Sequence, residues 1–240
     1  MHTETIAYEI DGAEHIGYLA VDRDRGGARP GVLVCHEGPG LGDHERVVCG
    51  RLAELGYVAF ALDYHGGGKV LAREEMMGIL GALRSDLDRT RAIGLAGLSV
   101  LAAQAETDAS RIAAIGYCFG GTMALELGRA GTDLKAIVGF HSGLGTSRPE
   151  DAANITGSVL VNIGADDPMI PPEQRTEFEA EMRAGGVDWQ MLVFGGVVHS
   201  FTNPAVDAMG IPEFIAYSAT ADQRSWRAMC DLFDAKLGPV

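Results

Sequence analysis

The chain has 240 residues, 47% hydrophobic and 22% charged, which is enough to bury a large core as one α/β domain spanning 1–240. Its formal net charge is −14, from 33 acidic against 19 basic side chains with no basic run, and this argues against nucleic acid or an anionic membrane surface as partner. No apolar run reaches the roughly 18 residues of a membrane span, and the start "MHTETIAYEIDG" lacks the basic and apolar regions of a secretion signal, so a cytoplasmic location is the expectation.

Two alternating segments, 3–10 and 13–20, flank Asp11-Gly12 and predict an antiparallel hairpin. After a polar loop, "GVLVCHE" (31–37) is a continuous apolar run of the kind a buried parallel strand shows. Residues 38–56 combine a Gly/Pro loop with a helix: Asp43 is the candidate N-cap, Val47, Val48, Leu52 and Leu55 share a stripe, and Gly56 closes it. A strand over 57–64, the loop "HGGGKV" and a long helical region from 73 to 104 follow, with Gly78, Gly81, Gly94 and Gly97 weakening that helix or marking a break. Strands at 111–116, 134–140, 157–164 and 187–196 then alternate with helices at 121–131, 172–186 and 221–238. A hairpin followed by repeated strand and helix units predicts a mostly parallel, twisted sheet with helices on both faces.

In such a sheet, reacting groups gather at the carboxyl ends of the strands. The loop after Ile115 reads Gly116-Tyr117-Cys118-Phe119-Gly120-Gly121, a nucleophile-elbow pattern with cysteine at its centre. Glycines at 116 and 120 relieve the collision that a strand turning at once into a helix would cause, and the new helix points its N–H groups at the thiol. "NIGADDPMIP" (162–171) places an acid just past a strand, and "GGVVHSF" (195–201) places His199 after the next. Asp166 and Asp167 compete for the acid, and the strand-to-turn offset favours Asp167. The order nucleophile, acid, histidine suits an α/β-hydrolase, in which His199 would move the proton and the acid would orient it. Oxyanion donors are expected in the backbone N–H of Phe119 and that of Glu37 or Gly38.

The motifs G-Y-C-F-G-G, G-x-x-D-x-x-I-P and V-H-S-F, in this order, resemble those of the dienelactone hydrolase family, and the similarity runs from the hairpin to the last helix. The resemblance implies an α/β-hydrolase fold and a triad of Cys118, His199 and Asp167. It also implies that Glu37, in "LVCHEGPG", contacts the resting cysteine and controls its ionisation. Family members grip a substrate carboxylate with arginines, one of them four residues after the catalytic histidine; here that residue is Asn203, with Arg84, Arg89 or Arg91 left to supply the other half.

The remaining cysteines, Cys35, Cys49 and Cys230, read as core, and with no CxxC pair or zinc spacing neither disulfide, metal nor cofactor is expected. His36, Tyr64, Tyr117, His141, Phe201 and Asn203 are candidate pocket residues, although for His36 and His141 a structural hydrogen bond is the favoured use. Segment 202–221 is expected to cover the pocket. The function expected is hydrolysis of small esters or lactones through an acyl-thioester, with dienelactone hydrolysis proper and a catalytically silent binding protein as alternatives.

Overall fold

The computed structural model describes residues 1–240. Eight strands form one sheet in the order β1-β2-β4-β3-β5-β6-β7-β8. The hairpin is β1 (His2–Ile10) and β2 (Ala13–Val21), closed by Asp11 and Gly12, both at positive φ as a tight hairpin turn requires. β2 pairs antiparallel with β4 (Val58–Leu62), and from there every pairing is parallel, through β3 (Arg29–Cys35), β5 (Thr107–Tyr117), β6 (Ala136–Phe140), β7 (Ser158–Gly164) and β8 (Asp188–Phe194).

All seven residues of β3 are buried, because both faces of the central sheet are covered. Alternate side chains supply two cores. Leu33, Cys35, Phe60, Leu62 and Ala114 face α2 (Arg73–Ser85), α3 (Leu87–Ala102), α4 (Phe119–Arg129) and α5 (Pro172–Gly185). Val32, Val34, Ala59 and Ile115 face α1 (Asp43–Leu55) and α6 (Ala219–Lys236).

Two expectations about helices change. The helix foreseen over 73–104 is two helices, and the break is at Asp86 rather than at a glycine. Asp86 leaves the helical region at φ −124° and ψ 83°, and its Oδ1 accepts the Arg89 N–H at 3.0 Å, which starts α3. Gly94 serves packing instead, since a Cβ there would stand 2.8 Å from the Leu127 side chain. In α1 the N-cap is Gly42 and not Asp43. A side chain from within the helix does the capping: Glu45 Oε2 accepts the Gly42 N–H at 2.9 Å.

Candidate active site

Cys118 sits where β5 ends and α4 begins, at φ 53° and ψ −119°. A side chain in that region costs about 1–3 kcal/mol of strain. Neighbouring hydrogen bonds hold it there: Cys118 N–H donates to Phe140 O at 3.0 Å, and Gly121 N–H donates to Cys118 O at 3.1 Å. The flanking glycines are obligatory. A Cβ on Gly116 would lie 2.1 Å from the Gly120 carbonyl carbon, and one on Gly120 would lie 2.2 Å from Cys35 O. The turn leaves Cys118 partly exposed while Tyr117 and Phe119 are buried.

His199 follows β8 and is 3% exposed. Its Nδ1 lies 2.7 Å from Asp167 Oδ2, and Asp167 Oδ1 accepts the Met169 N–H at 2.8 Å. Both carboxylate oxygens are thus engaged, which fixes the imidazole ring plane. Asp166 is exposed and does not take part. Burial pulls the His199 pKa down, but the Cys118 charge and the Asp167 hydrogen bond outweigh it and raise the imidazole from 6.5 to about 10. Cys118 raises it both through its charge and through a side-chain contact with the ring, and the buried Nε2 has no other partner. The imidazole therefore has one nitrogen anchored and the other free on the thiol side.

Glu37 has a different neighbourhood from the one implied. Ser200 Oγ donates to its Oε1 at 3.1 Å and Asn203 Nδ2 donates to its Oε2 at 2.6 Å, while no hydrogen bond joins it to Cys118. Asn203 thus secures Glu37. Its Oδ1 accepts the Ala205 N–H at 3.0 Å, so both ends of the amide are occupied within the protein.

Phe119 N–H and Gly38 N–H have no partner in the chain. Glu37 N–H, the alternative to Gly38, is taken by Glu45 Oε1 at 2.9 Å. Of the candidate pocket residues, His36, Tyr64, Tyr117, His141 and Phe201 each expose 2% or less and pack behind the site rather than lining an open cleft. His36 stacks on Tyr64, Tyr117 stacks on Phe140, and His141 meets His199 and Phe201 edge-on. In the segment 202–221, Phe214 O accepts the His199 N–H and Ala216 N–H donates to His199 O, each at 3.2 Å. Met209 and Phe214 are exposed on this segment.

The three arginines separate. Arg91 is committed to Glu126 and Asp151. Arg89 is exposed on α3. Arg84 forms no ion pair; it stands over the Phe119 ring at 5.4 Å and borders a cavity of about 310 Å³ that also touches Phe119 and Thr122.

Sequence reading missed two buried acids. Glu45 is 1% exposed and ties the loop before α1 to the helix; its spacing three residues after Gly42 was the available signal. Asp63 shapes the "HGGG" loop, its carboxylate accepting the N–H groups of Ile16, His65, Gly66 and Gly68. Nothing at the level of sequence distinguishes Asp63 from an ordinary loop acid.

Comparison with known proteins finds relatives that span most of the chain. Residues 16–237 match the model of the dienelactone hydrolase family. "Protein usf" of Aquifex pyrophilus is 29% identical over 206 residues, 83% of this chain and 87% of that protein. A Yersinia pestis protein carrying the name "Putative carboxymethylenebutenolidase" is 28% identical over 243 residues, 97% of this chain and 88% of that protein. A crystal structure of a dienelactone hydrolase-like promiscuous phosphotriesterase from metagenomic libraries superposes with a TM-score of 0.94 at 42% identity, covering 99% of both chains.

Proposed function

Since the chain belongs to the dienelactone hydrolase family, and is on that ground a hydrolase, we propose that it cleaves small carboxylic esters or lactones with Cys118 as nucleophile. One observation carries the reading: a cysteine on a strained turn and a His199–Asp167 pair at 2.7 Å meet at the carboxyl ends of β5, β7 and β8.

With the thiol proton transferred to His199, the Cys118 thiolate sulfur forms a bond to the carbonyl carbon, and the π pair moves onto oxygen, where the N–H groups of Phe119 and Gly38 receive it. Collapse expels the alcohol oxygen, which takes its proton from His199, and an acyl-thioester remains. Water then gives a proton to His199 and adds to the thioester. The second collapse expels the thiolate and leaves a carboxylic acid. Asp167 keeps the imidazole in the tautomer that each step needs. Replacing Cys118 by alanine tests this: ester turnover should fall at least about a thousandfold with the fold intact, and retained turnover would remove the proposal.

The carboxylate-bearing substrate is a second reading, favoured by Arg84. It is an unpaired cation beside the residue whose N–H receives the oxyanion, and it borders a cavity. A lactone with a free carboxylate would meet Arg84 in place of the residue that Asn203 replaces. The ratio of kcat/KM for such a lactone to that for its neutral ester decides between the two.

A further inference from the structure

Glu37 and Gly38 together carry four backbone polar groups, and three of them are engaged. Glu37 N–H donates to Glu45 Oε1 at 2.9 Å, and Gly38 O accepts from His65 Nε2 at 2.7 Å. Glu37 O accepts three hydrogen bonds, from His36 Nδ1 at 2.6 Å, Tyr64 Oη at 2.9 Å and Gly40 N–H at 3.2 Å. Gly38 N–H alone is left over.

The peptide joining these residues is trans, so its C=O and N–H lie in one plane and point in opposite directions. Whatever fixes Glu37 O fixes the direction of Gly38 N–H. Hydrogen bonds accepted by the carbonyl also polarise the amide and strengthen its N–H as a donor.

The two side chains on Glu37 O are themselves interlocked. His36 and Tyr64 stack with ring centroids 3.5 Å apart and planes 14° apart, and Tyr64 N–H donates to His36 Nε2 at 3.3 Å. His36 Nε2 is therefore the acceptor and Nδ1 bears the proton that Glu37 O receives. Burial lowers the His36 pKa to about 3, with the neighbouring His65 adding to the effect, which keeps this neutral tautomer. Burial likewise holds the Tyr64 phenol protonated.

We propose that His36 and Tyr64 are positioning residues: gripping Glu37 O, they aim and polarise the Glu37–Gly38 peptide so that Gly38 N–H is a preset donor to the oxyanion. The assignment rests on the ester-hydrolase reading above. It makes the buried pair behind the site part of the chemistry, although neither residue touches substrate.

Three variants test it: Tyr64→Phe, which removes only the hydroxyl; His36→Asn, whose amide can replace the Nδ1 donor; and His36→Ala. Each is compared with the parent in ester kinetics, in affinity for butyraldehyde and in the rate of Cys118 alkylation by iodoacetamide, with thermal melting as the check on folding. Addition of Cys118 to the aldehyde builds an oxyanion; alkylation displaces iodide and builds none. Tyr64→Phe should lower kcat/KM and butyraldehyde affinity together, by roughly tenfold, less than loss of a direct donor would, while alkylation stays at the parental rate. His36→Asn should retain more of the aldehyde affinity than His36→Ala. Unchanged aldehyde affinity in Tyr64→Phe and His36→Ala overturns the proposal, as does an equal fall in alkylation and hydrolysis, which would mean general loosening. Failure of the ester-hydrolase reading shows separately, in the parent protein, as butyraldehyde that does not protect Cys118 from alkylation.

Discussion

Asn203 Nδ2 lies 2.6 Å from Glu37 Oε2, a contact between residues 166 apart in the chain. It joins the loop after β3 to the segment that carries His199, and Ser200 Oγ on the other carboxylate oxygen completes the tie. Glu37 is 7% exposed, and a buried acceptor that loses its donor keeps its full desolvation cost. Asn203→Ala should therefore destabilise the protein by about 1–3 kcal/mol, measured as the shift in a denaturant midpoint. Asn203→Asp, which sets a second carboxylate against the first, should cost more.

The His199 imidazole gives the protein a pH signature. Its folded-state pKa is raised from 6.5 to about 10 by the Cys118 charge and the Asp167 hydrogen bond, against burial, which lowers it. A raised pKa means the folded state holds the proton more tightly, so the stabilisation is complete below pH 6.5, shrinks between 6.5 and about 10, and is gone above. Subtracting the denaturation free energy of His199→Gln from that of the parent across this range should show the decline. In Cys118→Ala, the imidazole resonance should titrate at a lower pH than in the parent, since everything Cys118 contributes to the rise is removed and only Asp167 still raises it.

Backbone crowding at the elbow predicts an unequal pair of glycine substitutions. A methyl at Gly120 would meet Cys35 O at 2.2 Å and His36 O at 2.4 Å, both main-chain atoms that cannot swing aside. Gly120→Ala should cost about 3 kcal/mol or more and sharply reduce soluble protein. Gly145, with nothing within 4 Å of the corresponding position, should accept alanine with no measurable loss in melting temperature.

Arg84 should set substrate charge preference and little else. Its guanidinium has no acidic partner and is exposed on α2, so Arg84→Gln should leave the melting temperature unchanged. If it grips a substrate carboxylate, the same change should lower kcat/KM for a carboxylate-bearing lactone by about tenfold or more relative to the neutral ester.

The sheet and the three motif residues are legible in the sequence because each leaves a local mark. β3 is a continuous apolar run, β5 ends in a glycine-framed cysteine, and Asp167 and His199 stand at fixed short distances past strand ends. What is not legible depends on which other group a polar side chain reaches. Asn203 reads as a missing arginine, yet its amide is spent on Glu37 and Ala205. Tyr64 reads as pocket wall and His36 as a histidine held by a structural hydrogen bond whose partner the sequence does not name, yet both point at one carbonyl. The break between α2 and α3 hides for a related reason: Asp86 stops one helix and caps the next, whereas Gly94, the more obvious breaker, is kept for the approach of Leu127.

The two hydrogen bonds between His199 and the segment that follows it, one to Phe214 O and one from Ala216 N–H, make the histidine's own backbone one rail of a short ladder. The strip bearing Phe214 is therefore not a flap hinged beside a fixed base. Peeling it away would unzip His199 main chain and slacken the grip of Asp167 in the same movement. The strip and the His199 backbone share one ladder, so thermal agitation of that strip should register first as lost turnover, before any strand of the sheet has given way.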